Sequence, residues 1–204
     1  MRMTRAETKE RNRRALLDAA RRIVARDGHR AKLEEIAEQA GLTTGAVYSL
    51  FGSKNGLLVA LATDYLDPEY EDLARAFPPD LDLAGTVDAF ARHHRRLCDD
   101  PEARQRLSFE LSLQDLGLRE PALRPKLAEA VRLQEERLVA LLAGRTHDGA
   151  RITERQARRL KTALRGLLTG LSQGVVLGLA DTAPEPYFAA AARALLTPEV
   201  LGPP

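Results

Sequence analysis

Apolar residues recur along this chain at intervals of three and four, the spacing that places them on one face of an α-helix. The clearest case lies in residues 33–58, LEEIAEQAGLTTGAVYSLFGSKNGLL. The first apolar face of this stretch consists of Leu33, Ile36, Ala37 and Ala40. Gly41 follows where that helix is predicted to end, because glycine adopts the left-handed backbone conformation without a Cβ penalty.

A second short helix is predicted directly after this turn, from an N-cap at Thr43 or Thr44 to Phe51. Val47 and Phe51 lie four residues apart and face inward. The outer side carries no charge, as suits a surface that enters a groove. Two short helices joined by a tight glycine-containing turn predict a helix-turn-helix, whose second helix enters the DNA major groove.

Many small helical hairpins share the helix-turn-helix pattern, so the pattern alone does not identify a DNA-binding unit. The segments on either side make that interpretation more specific. A long amphipathic helix is predicted before the unit, from Thr8 to Asp27. Its apolar face consists of Leu16, Ala19, Ala20, Ile23 and Val24. After the unit, residues 51–54 read Phe-Gly-Ser-Lys, which ends one helix and begins another with Ser53 as the N-cap.

The run AGLTTGAVYSLFGSK, residues 40–54, resembles the signature of the tetracycline-repressor (TetR) family of bacterial transcription regulators. The motif content of the resemblance covers roughly residues 8–60, and the rest matches in length and helical pattern. Lys32 stands where the family usually has a Thr or Ser that caps the helix. Leu50 stands where the family often has His or another aromatic residue. Gly56 falls in the first turns of the next helix, where an interior glycine costs about 0.5–1 kcal/mol relative to alanine.

The same spacing continues to the end of the chain and predicts an all-α fold of about nine helices without strands. The helices after the helix-turn-helix are predicted over residues 53–76, 84–99, 101–117, 121–143 or 124–143, 153–179 and 187–196. Thr153 is predicted to cap the longest of them, and residues 144–150 are predicted to form a loop. We predict a three-helix DNA-binding domain in residues 1–54 and a helical ligand-binding and dimerisation domain in residues 55–204.

Glycine recurs every fourth residue on the longest predicted helix. Each interior glycine weakens a helix by about 0.8–1.0 kcal/mol, so a close packing partner is expected along this stripe. Packing within the monomer is one explanation. We prefer contact with a second copy across a two-fold axis, and the TetR resemblance implies a dimer built on a four-helix bundle. The predicted interface residues are Leu164, Gly166, Gly170, Leu171, Gly174, Gly178, Phe188 and Ala192.

Composition and charge indicate the compartment of the protein and the kind of partner that it binds. The single Cys98 excludes an internal disulfide, the polar first ten residues do not form a signal peptide, and the apolar run 166–180 is too short to span a bilayer. We therefore predict a cytoplasmic protein without a membrane partner. The net charge is +2, yet residues 1–32 hold 11 Lys/Arg against 4 Asp/Glu, a net of +7. A basic amino-terminal end on an otherwise acidic chain favours a polyanion partner.

No catalytic group is predicted. Cys98 and His94 lie one helical turn apart without a third residue to orient them, and the histidines do not complete a tetrahedral metal site. We predict no enzyme activity, metal or cofactor.

Polar residues within the apolar faces of the carboxy-terminal helices are typical of a small-molecule cavity, although each can also lie at a solvated helix margin. The predicted lining residues are Phe90, His94, Phe109, Leu113, Gln114, Gln173 and Leu177. Since no Lys or Arg falls clearly on the inward faces, we expect a mainly apolar ligand with one or two hydrogen-bonding groups. Its identity stays open.

These patterns together predict a homodimeric regulator of transcription, a repressor released from a palindromic operator in double-stranded DNA by a small-molecule effector. The predicted DNA contacts are Arg5, Lys32, Thr43, Thr44, Gly45, Ala46, Tyr48, Ser49 and Lys54. The short side chains of the second helix would read bases, whereas Tyr48 and Lys54 would hold phosphates. The alternative is an all-helical enzyme or protein-interaction module that carries an incidental helix-turn-helix.

Overall fold

The computed structural model describes residues 4–64, 77–78, 80–180 and 183–203. The predicted all-α fold is confirmed over this part of the chain. The α-helices are α1 Arg5–Asp27, α2 Leu33–Gln39, α3 Thr44–Phe51, α4 54–64, α5 Leu83–Leu97, α6 Ala103–Arg119, α7 Arg124–Leu142, α8 Glu154–Val176, α9 Glu185–Arg193 and α10 Pro198–Leu201. A 3₁₀ turn at Gly28–Arg30 follows α1. The part of the predicted helix 53–76 beyond residue 64 lies outside the described residues.

Two small elements were missed in the sequence. The short helix α10 brings the described helices to ten, and the expected loop 144–150 contains a hairpin of two-residue strands, β1 Thr146–His147 and β2 Ala150–Arg151. Asp148 and Gly149 form its turn with φ values of 49° and 81°. An Asp-Gly pair with two positive φ angles matches the right-handed twist of a hairpin. The prediction of no strands is therefore wrong at this turn.

Side-chain caps fix where the helices begin. Thr153 Oγ1 accepts a hydrogen bond from the Gln156 backbone N–H at 3.3 Å, and the Gln156 side chain accepts one from the Thr153 N–H at 2.9 Å. This confirms the predicted cap of α8. The same reciprocal arrangement joins Thr4 and Glu7, so α1 begins earlier than the predicted start at Thr8. Such caps satisfy backbone donors that a helix end leaves without partners.

The described residues pack into two compact units. The first unit draws on Met1–Asp67 and Gln105–Arg132, and the second on Pro68–Arg104 and Leu133–Pro204. Helices α6 and α7 therefore each contribute to both units. This division reflects packing, whereas the boundary predicted at residue 54 is one of function and stays a prediction.

Each unit has its own apolar core. The first core is formed by the inward faces of α1 to α4 with Phe109 and Leu116 of α6, and the predicted faces of α1 and α2 are confirmed in it. The second core is formed by α5, α8 and α9 with the end of α7, including Phe90, Leu138 and Phe188. Full burial of such side chains contributes roughly 1.5–3 kcal/mol each.

Candidate nucleic-acid interface and ligand cavity

The turn between α2 and α3 is built on glycine. Gly41 has a φ of 67°, and its N–H donates to the Glu38 carbonyl at 2.9 Å. The Leu42 N–H donates to the Ala37 carbonyl at 2.9 Å, and the Leu42 side chain packs on the first core. These two bonds with a left-handed residue form a Schellman motif, which satisfies the last carbonyls of α2. The tight turn of the helix-turn-helix is thereby confirmed.

Helix α3 presents the predicted contact residues on its outer side. Thr43 caps the helix, since its Oγ1 accepts from the Ala46 N–H at 3.4 Å. Val47 is fully buried, whereas Tyr48 is 56% exposed. Gly45 and Ser49 are exposed, and Thr44 and Ala46 are half-buried. The outer face of α3 therefore consists of short polar groups, a bare backbone at Gly45 and one tyrosine.

The junction between α3 and α4 requires a glycine that seemed unfavourable in the sequence. A Cβ at Gly56 would lie 2.0 Å from the Phe51 carbonyl oxygen. The Gly56 N–H donates to Ser53 Oγ at 2.9 Å, which confirms Ser53 as the cap of α4. The helix-propensity cost at Gly56 is thus offset by a close backbone approach that no other residue permits.

Two lysines lie beside the helix-turn-helix with different partners. Lys54 Nζ donates to the Ala31 carbonyl at 2.7 Å, so this ammonium ties α4 to the segment that precedes α2. Sequence reasoning missed this bond because it joins residues 23 apart. Lys32 occupies the N-cap position of α2 without a capping hydrogen bond and is exposed. The unusual residue at position 32 therefore leaves the start of α2 uncapped.

The acidic groups near α2 are held by an arginine. Arg26 Nη2 donates to Asp27 at 2.6 Å and to Glu35 at 2.5 Å, and the Arg26 guanidinium lowers the pKa of Asp27. Within the described residues, Arg30 and Lys32 are exposed and have no carboxylate partner. Arg5 is exposed at the first turn of α1. The predicted excess of positive charge at this end of the chain thus reaches the surface.

A cavity lies within the second unit. Its apolar walls are Phe90, Leu138 and Leu168, and its neutral polar groups are His94 and Thr169. Its volume is about 40 Å³, which is far below the roughly 300–1,000 Å³ of a typical ligand pocket. A ligand can therefore enter only if the walls move apart.

Charged side chains also line this cavity, contrary to expectation. Glu135 of α7 is only 6% exposed, and its Oε2 lies 2.7 Å from Lys161 Nζ. Arg165 Nη1 lies 2.9 Å from Glu135 Oε1. The premise that no Lys or Arg faces inward is therefore wrong. Helical phase placed both cations at the margin of α8. The packing of α7 against α8 encloses Lys161, whose side chain is 15% exposed, whereas the Arg165 side chain stays 61% exposed at the rim.

His94 is neutral in this cavity. Its ring contacts the Phe90 ring edge-on, with centroids 4.5 Å apart. Burial, and to a lesser extent the charge of His93, lowers the pKa of His94 to about 4. The imidazole can thus donate one hydrogen bond and accept one at neutral pH.

Five of the seven predicted cavity residues do not line this cavity. Phe109 is fully buried in the first core and Leu113 packs against that core. Gln114 is exposed on the same helix. Gln173 is half-buried and Leu177 is 55% exposed at the end of α8. Helical phase alone could not show that α6 belongs to the first unit from Gln105 onward. Of the seven residues, only Phe90 and His94 line this cavity.

Some of the predicted interface residues are buried within the chain itself and are therefore not accessible to a partner. Leu164, Phe188 and Ala192 are fully buried inside the protomer. Leu171 is half-buried against the second core. The first three cannot bury further area against a second copy, because the core of their own protomer already covers them.

The glycine stripe is shorter than predicted. Added Cβ atoms at Gly166 and Gly170 would meet nothing within 4 Å, whereas one at Gly174 would lie 3.4 Å from the Ala180 Cβ. Gly178 lies beyond α8 with a φ of 69°, and the Leu179 N–H donates to the Gly174 carbonyl at 2.8 Å. Gly178 therefore terminates α8 in a second Schellman motif, and only Gly166 and Gly170 leave open space.

The lone cysteine makes a hydrogen bond at the end of α5. Cys98 Sγ donates to the His94 carbonyl at 3.3 Å. No group of three or more His, Cys, Asp or Glu side chains that could hold a metal ion occurs among the described residues. None of the helices described is both long and apolar enough to cross a membrane.

The fold and the exposed face of α3 define a helix-turn-helix DNA-binding protein of the transcription-regulator class. The family model for bacterial regulatory proteins of the tetR family matches residues 16–61, which include α2, the turn and α3. The amino-terminal part of the chain therefore carries the helix-turn-helix of the TetR family, and the resemblance that its motif predicted is confirmed. Comparison with curated proteins finds no match.

Solved structures of the same fold cover nearly the whole chain. A TetR-family member from Streptomyces coelicolor A3 is 27% identical with a TM-score of 0.66, over 91% of this chain and 98% of that one. The multidrug binding protein EbrR, complexed with ethidium, is 26% identical with a TM-score of 0.67 over the same shares. The regulator FadR from Bacillus subtilis, in complex with stearoyl-CoA, is 19% identical with a TM-score of 0.65, over 90% and 96%, a likeness of fold alone.

Proposed function

We propose that this TetR-family regulator is a repressor that binds a palindromic operator as a homodimer and leaves it when a small effector enters the second unit. The observation that carries the proposal is the outer surface of α3, which is uncharged and open to solvent at Gly45, Tyr48 and Ser49. In the same unit Arg30 and Lys32 are exposed and form no ion pair with a described carboxylate. An uncharged helix face and exposed cations in one unit suit base contact in the groove together with phosphate contact. The cytoplasmic location is part of the same proposal.

The side chains of α3 support a division of labour on DNA. Thr44 and Ser49 carry hydroxyl groups for base edges, and Ala46 carries a methyl group for contact with thymine. Gly45 lets the backbone approach the DNA closely, and Tyr48 reaches a phosphate from the exposed side of the helix. Each contact is short, so the helix must enter the groove deeply.

Lys54 serves the same surface in two ways. One N–H of its ammonium is used by the Ala31 carbonyl, at 2.7 Å. An ammonium has three donors, so two remain for a phosphate oxygen. The lysine would therefore fix the segment before α2 and neutralise a phosphate at once.

The end of α8 and the outer face of α9 support dimerisation. Gly166 and Gly170 have open space beside them. Leu177, Leu179 and Tyr187 are 55%, 78% and 53% exposed, which is unusual for large apolar side chains placed together in sequence and on adjacent elements. A second copy packed here would cover both features. A two-fold dimer presents two α3 helices to half-sites about one helical turn apart, roughly 34–36 Å.

Helices α6 and α7 support communication between an effector and the DNA-binding face. Helix α7 is divided between the two units, whereas only the first two residues of α6 belong to the second unit. In the first unit, Ser108 Oγ donates to the Ala25 carbonyl at 2.6 Å, and Asp115 lies 3.2 Å from His29 Nδ1. These contacts tie α6 to the end of α1, so a shift of α6 would displace the helix-turn-helix. EbrR, which has this fold and was solved with ethidium, supports the proposal that a small molecule causes the shift. That effector is expected to be mainly apolar.

A band-shift experiment with genomic fragments that flank the coding region tests the proposal. One fragment should be preferred over random DNA, and the logarithm of its affinity should fall linearly with the logarithm of salt concentration, because phosphate contacts release counterions. Binding that is equal for all fragments and indifferent to salt would refute the proposal.

A further inference from the structure

One oxygen of a buried carboxylate in the cavity of the second unit has no hydrogen-bond donor. The Glu135 side chain is 8% exposed, and its Oε2 accepts a hydrogen bond from Lys161 Nζ at 2.7 Å. None of the described protein groups donates to the other oxygen, Oε1. Arg165 Nη1 lies 2.9 Å from Oε1 but is not aligned as a hydrogen-bond donor, and the Arg165 side chain is 61% exposed. Glu135 Oε1 is therefore a buried acceptor to which a ligand can donate.

A second buried polar atom without a partner lies on the same side of α8. Within the part of the chain that the structure describes, two buried side-chain polar atoms have no hydrogen-bond partner, Glu135 Oε1 and Ser172 Oγ. Ser172 follows two residues of the cavity lining, Leu168 and Thr169, by four and three positions. Residues at this spacing share one face of a helix. The cavity side of α8 therefore offers a ligand a second polar group, one turn beyond the apolar wall.

The charges around Glu135 disfavour a charged ligand of either sign. An anion would bring acceptor oxygens to Oε1, which needs a donor, and the buried carboxylate would repel it. A cation would lie beside the Lys161 ammonium, which is 15% exposed and already neutralises Glu135. Either ion would also lose its hydration against the apolar walls Phe90, Leu138 and Leu168. A neutral donor meets none of these penalties.

The same acceptor decides what a neutral ligand must carry. The cavity volume of about 40 Å³ leaves room for water at Glu135 Oε1, since one water needs roughly 10–15 Å³. A ligand that displaces this water without a donor of its own loses a hydrogen bond to a buried carboxylate. A ligand whose O–H or N–H takes the place of the water keeps that bond, and its apolar body gains contact with Phe90.

We propose, on the basis of the function proposed above, that the effector is an uncharged, mainly apolar alcohol, phenol or amide that donates a hydrogen bond to Glu135 Oε1. Its apolar part lies against Phe90 and Leu168. Because the cavity volume is only about 40 Å³, this ligand moves the walls apart as it binds. The walls belong to α5, α7 and α8, and α7 is divided between the two units, so the movement reaches a helix that is also part of the first unit.

The test uses four probes with one propylphenyl body and different head groups: para-propylphenol, its methyl ether, para-propylbenzoate and para-propylbenzylamine. At neutral pH they are a neutral donor, a neutral compound without a donor, an anion and a cation. Operator binding is first measured without any probe, and each probe is then assayed for affinity by calorimetry and for release of the operator. The phenol should bind about tenfold more tightly than its ether, the loss expected for one hydrogen bond to a charged group, and should release the DNA. The two charged probes should bind no better than the ether.

A paired variant tests the contact with Glu135. Replacing Glu135 alone would leave Lys161 buried without a counter-ion, which destabilises a fold, whereas replacing both members of a buried pair by apolar residues is often tolerated. In Glu135→Met, Lys161→Met the phenol and its ether should therefore bind equally well. Glu136→Gln is the matched control, because Glu136 is an exposed carboxylate that pairs with Arg158 and does not line the cavity. This control should keep the tenfold preference for the phenol.

The possible failures are separable. If operator binding without a probe is absent, the proposed function fails whatever the probes do. If the operator is bound specifically but phenol and ether bind equally, or a charged probe binds best, or no probe binds, the neutral-donor inference is overturned and the regulator remains. A preference for the phenol that survives in the paired variant would overturn the contact with Glu135, and phenol binding without release of the operator would overturn its role as effector. A preference that appears only after Arg165→Gln would show that the guanidinium already occupies Oε1, and would also overturn the inference.

Discussion

Replacing Gly45 with alanine should separate the stability of the fold from its DNA binding. Gly45 is the second residue of α3, and the nearest atom to an added Cβ is Thr43 Oγ1 at 3.6 Å, an ordinary van der Waals distance. The methyl group is therefore accommodated, and the gain in helix propensity should raise the free energy of unfolding by up to about 1 kcal/mol.

The same methyl group should weaken operator binding. If the backbone at Gly45 lies against the DNA, the added group must be accommodated in a close interface, at a cost of roughly 1 kcal/mol or more per half-site. Two-fold symmetry doubles this to about 2 kcal/mol, or roughly a thirtyfold loss of affinity. Urea unfolding measures the first effect, and fluorescence anisotropy with a labelled operator measures the second.

Gly56→Ala is the matched control. It makes the same chemical change in the same unit, but its Cβ would lie 2.0 Å from the Phe51 carbonyl oxygen. This variant should lose stability and DNA binding together. If Gly45→Ala is more stable and binds the operator as tightly as the unchanged protein, the close approach of α3 to DNA at this position is refuted.

Three further variants test other parts of the account. Gly170→Leu should convert the dimer to a monomer in sedimentation without loss of helix content, and a dimeric mutant would place the interface elsewhere. Lys32→Ser should stabilise the protein by about 1 kcal/mol, because serine supplies the cap that α2 lacks, and it should still weaken DNA binding. Lys32→Ala should weaken DNA binding without stabilising the protein. Equal stabilities of the two variants would argue against the cap. Because the pKa of His94 is about 4 in the folded protein and 6.5 as a free group, only the unfolded chain takes up this proton between those values. The free energy of unfolding should then fall by up to roughly 3 kcal/mol as the pH drops from 6.5 to 4, and this part of the fall should be missing in urea melts of His94→Gln.

The helix-turn-helix could be predicted from the sequence because local chemistry determines it. Gly41 ends α2, Thr43 begins α3 and Ser53 begins α4, and each acts through bonds to residues at most a few positions away. The apolar spacing then fixes which side of each helix is buried. No knowledge of the remaining chain is needed for this unit.

The cavity and the interface could not be predicted in the same way, because they depend on which helices meet. The apolar spacing places Phe109 and Phe90 on the inward faces of their helices, yet Phe109 packs in the first core and Phe90 in the second. Lys161 has the phase of a helix margin, and only the approach of Glu135 from α7 makes it part of a buried pair. Gly178 follows the four-residue period, but its positive φ places it in a turn rather than on the helix. Long-range packing decides the first two cases, whereas Gly178 ends α8 through local bonds that the four-residue period does not reveal.

Hydroxyl-radical footprinting of the preferred operator fragment tests the central claim most directly. A two-fold dimer that inserts α3 into successive major grooves should protect two patches of backbone symmetrically about the centre of a palindrome, with half-sites roughly 34–36 Å apart. The protection should disappear in a Thr44→Ala, Ser49→Ala variant at concentrations that saturate the unchanged protein. Protection of a single asymmetric patch, or an undiminished footprint of that variant, would contradict the account.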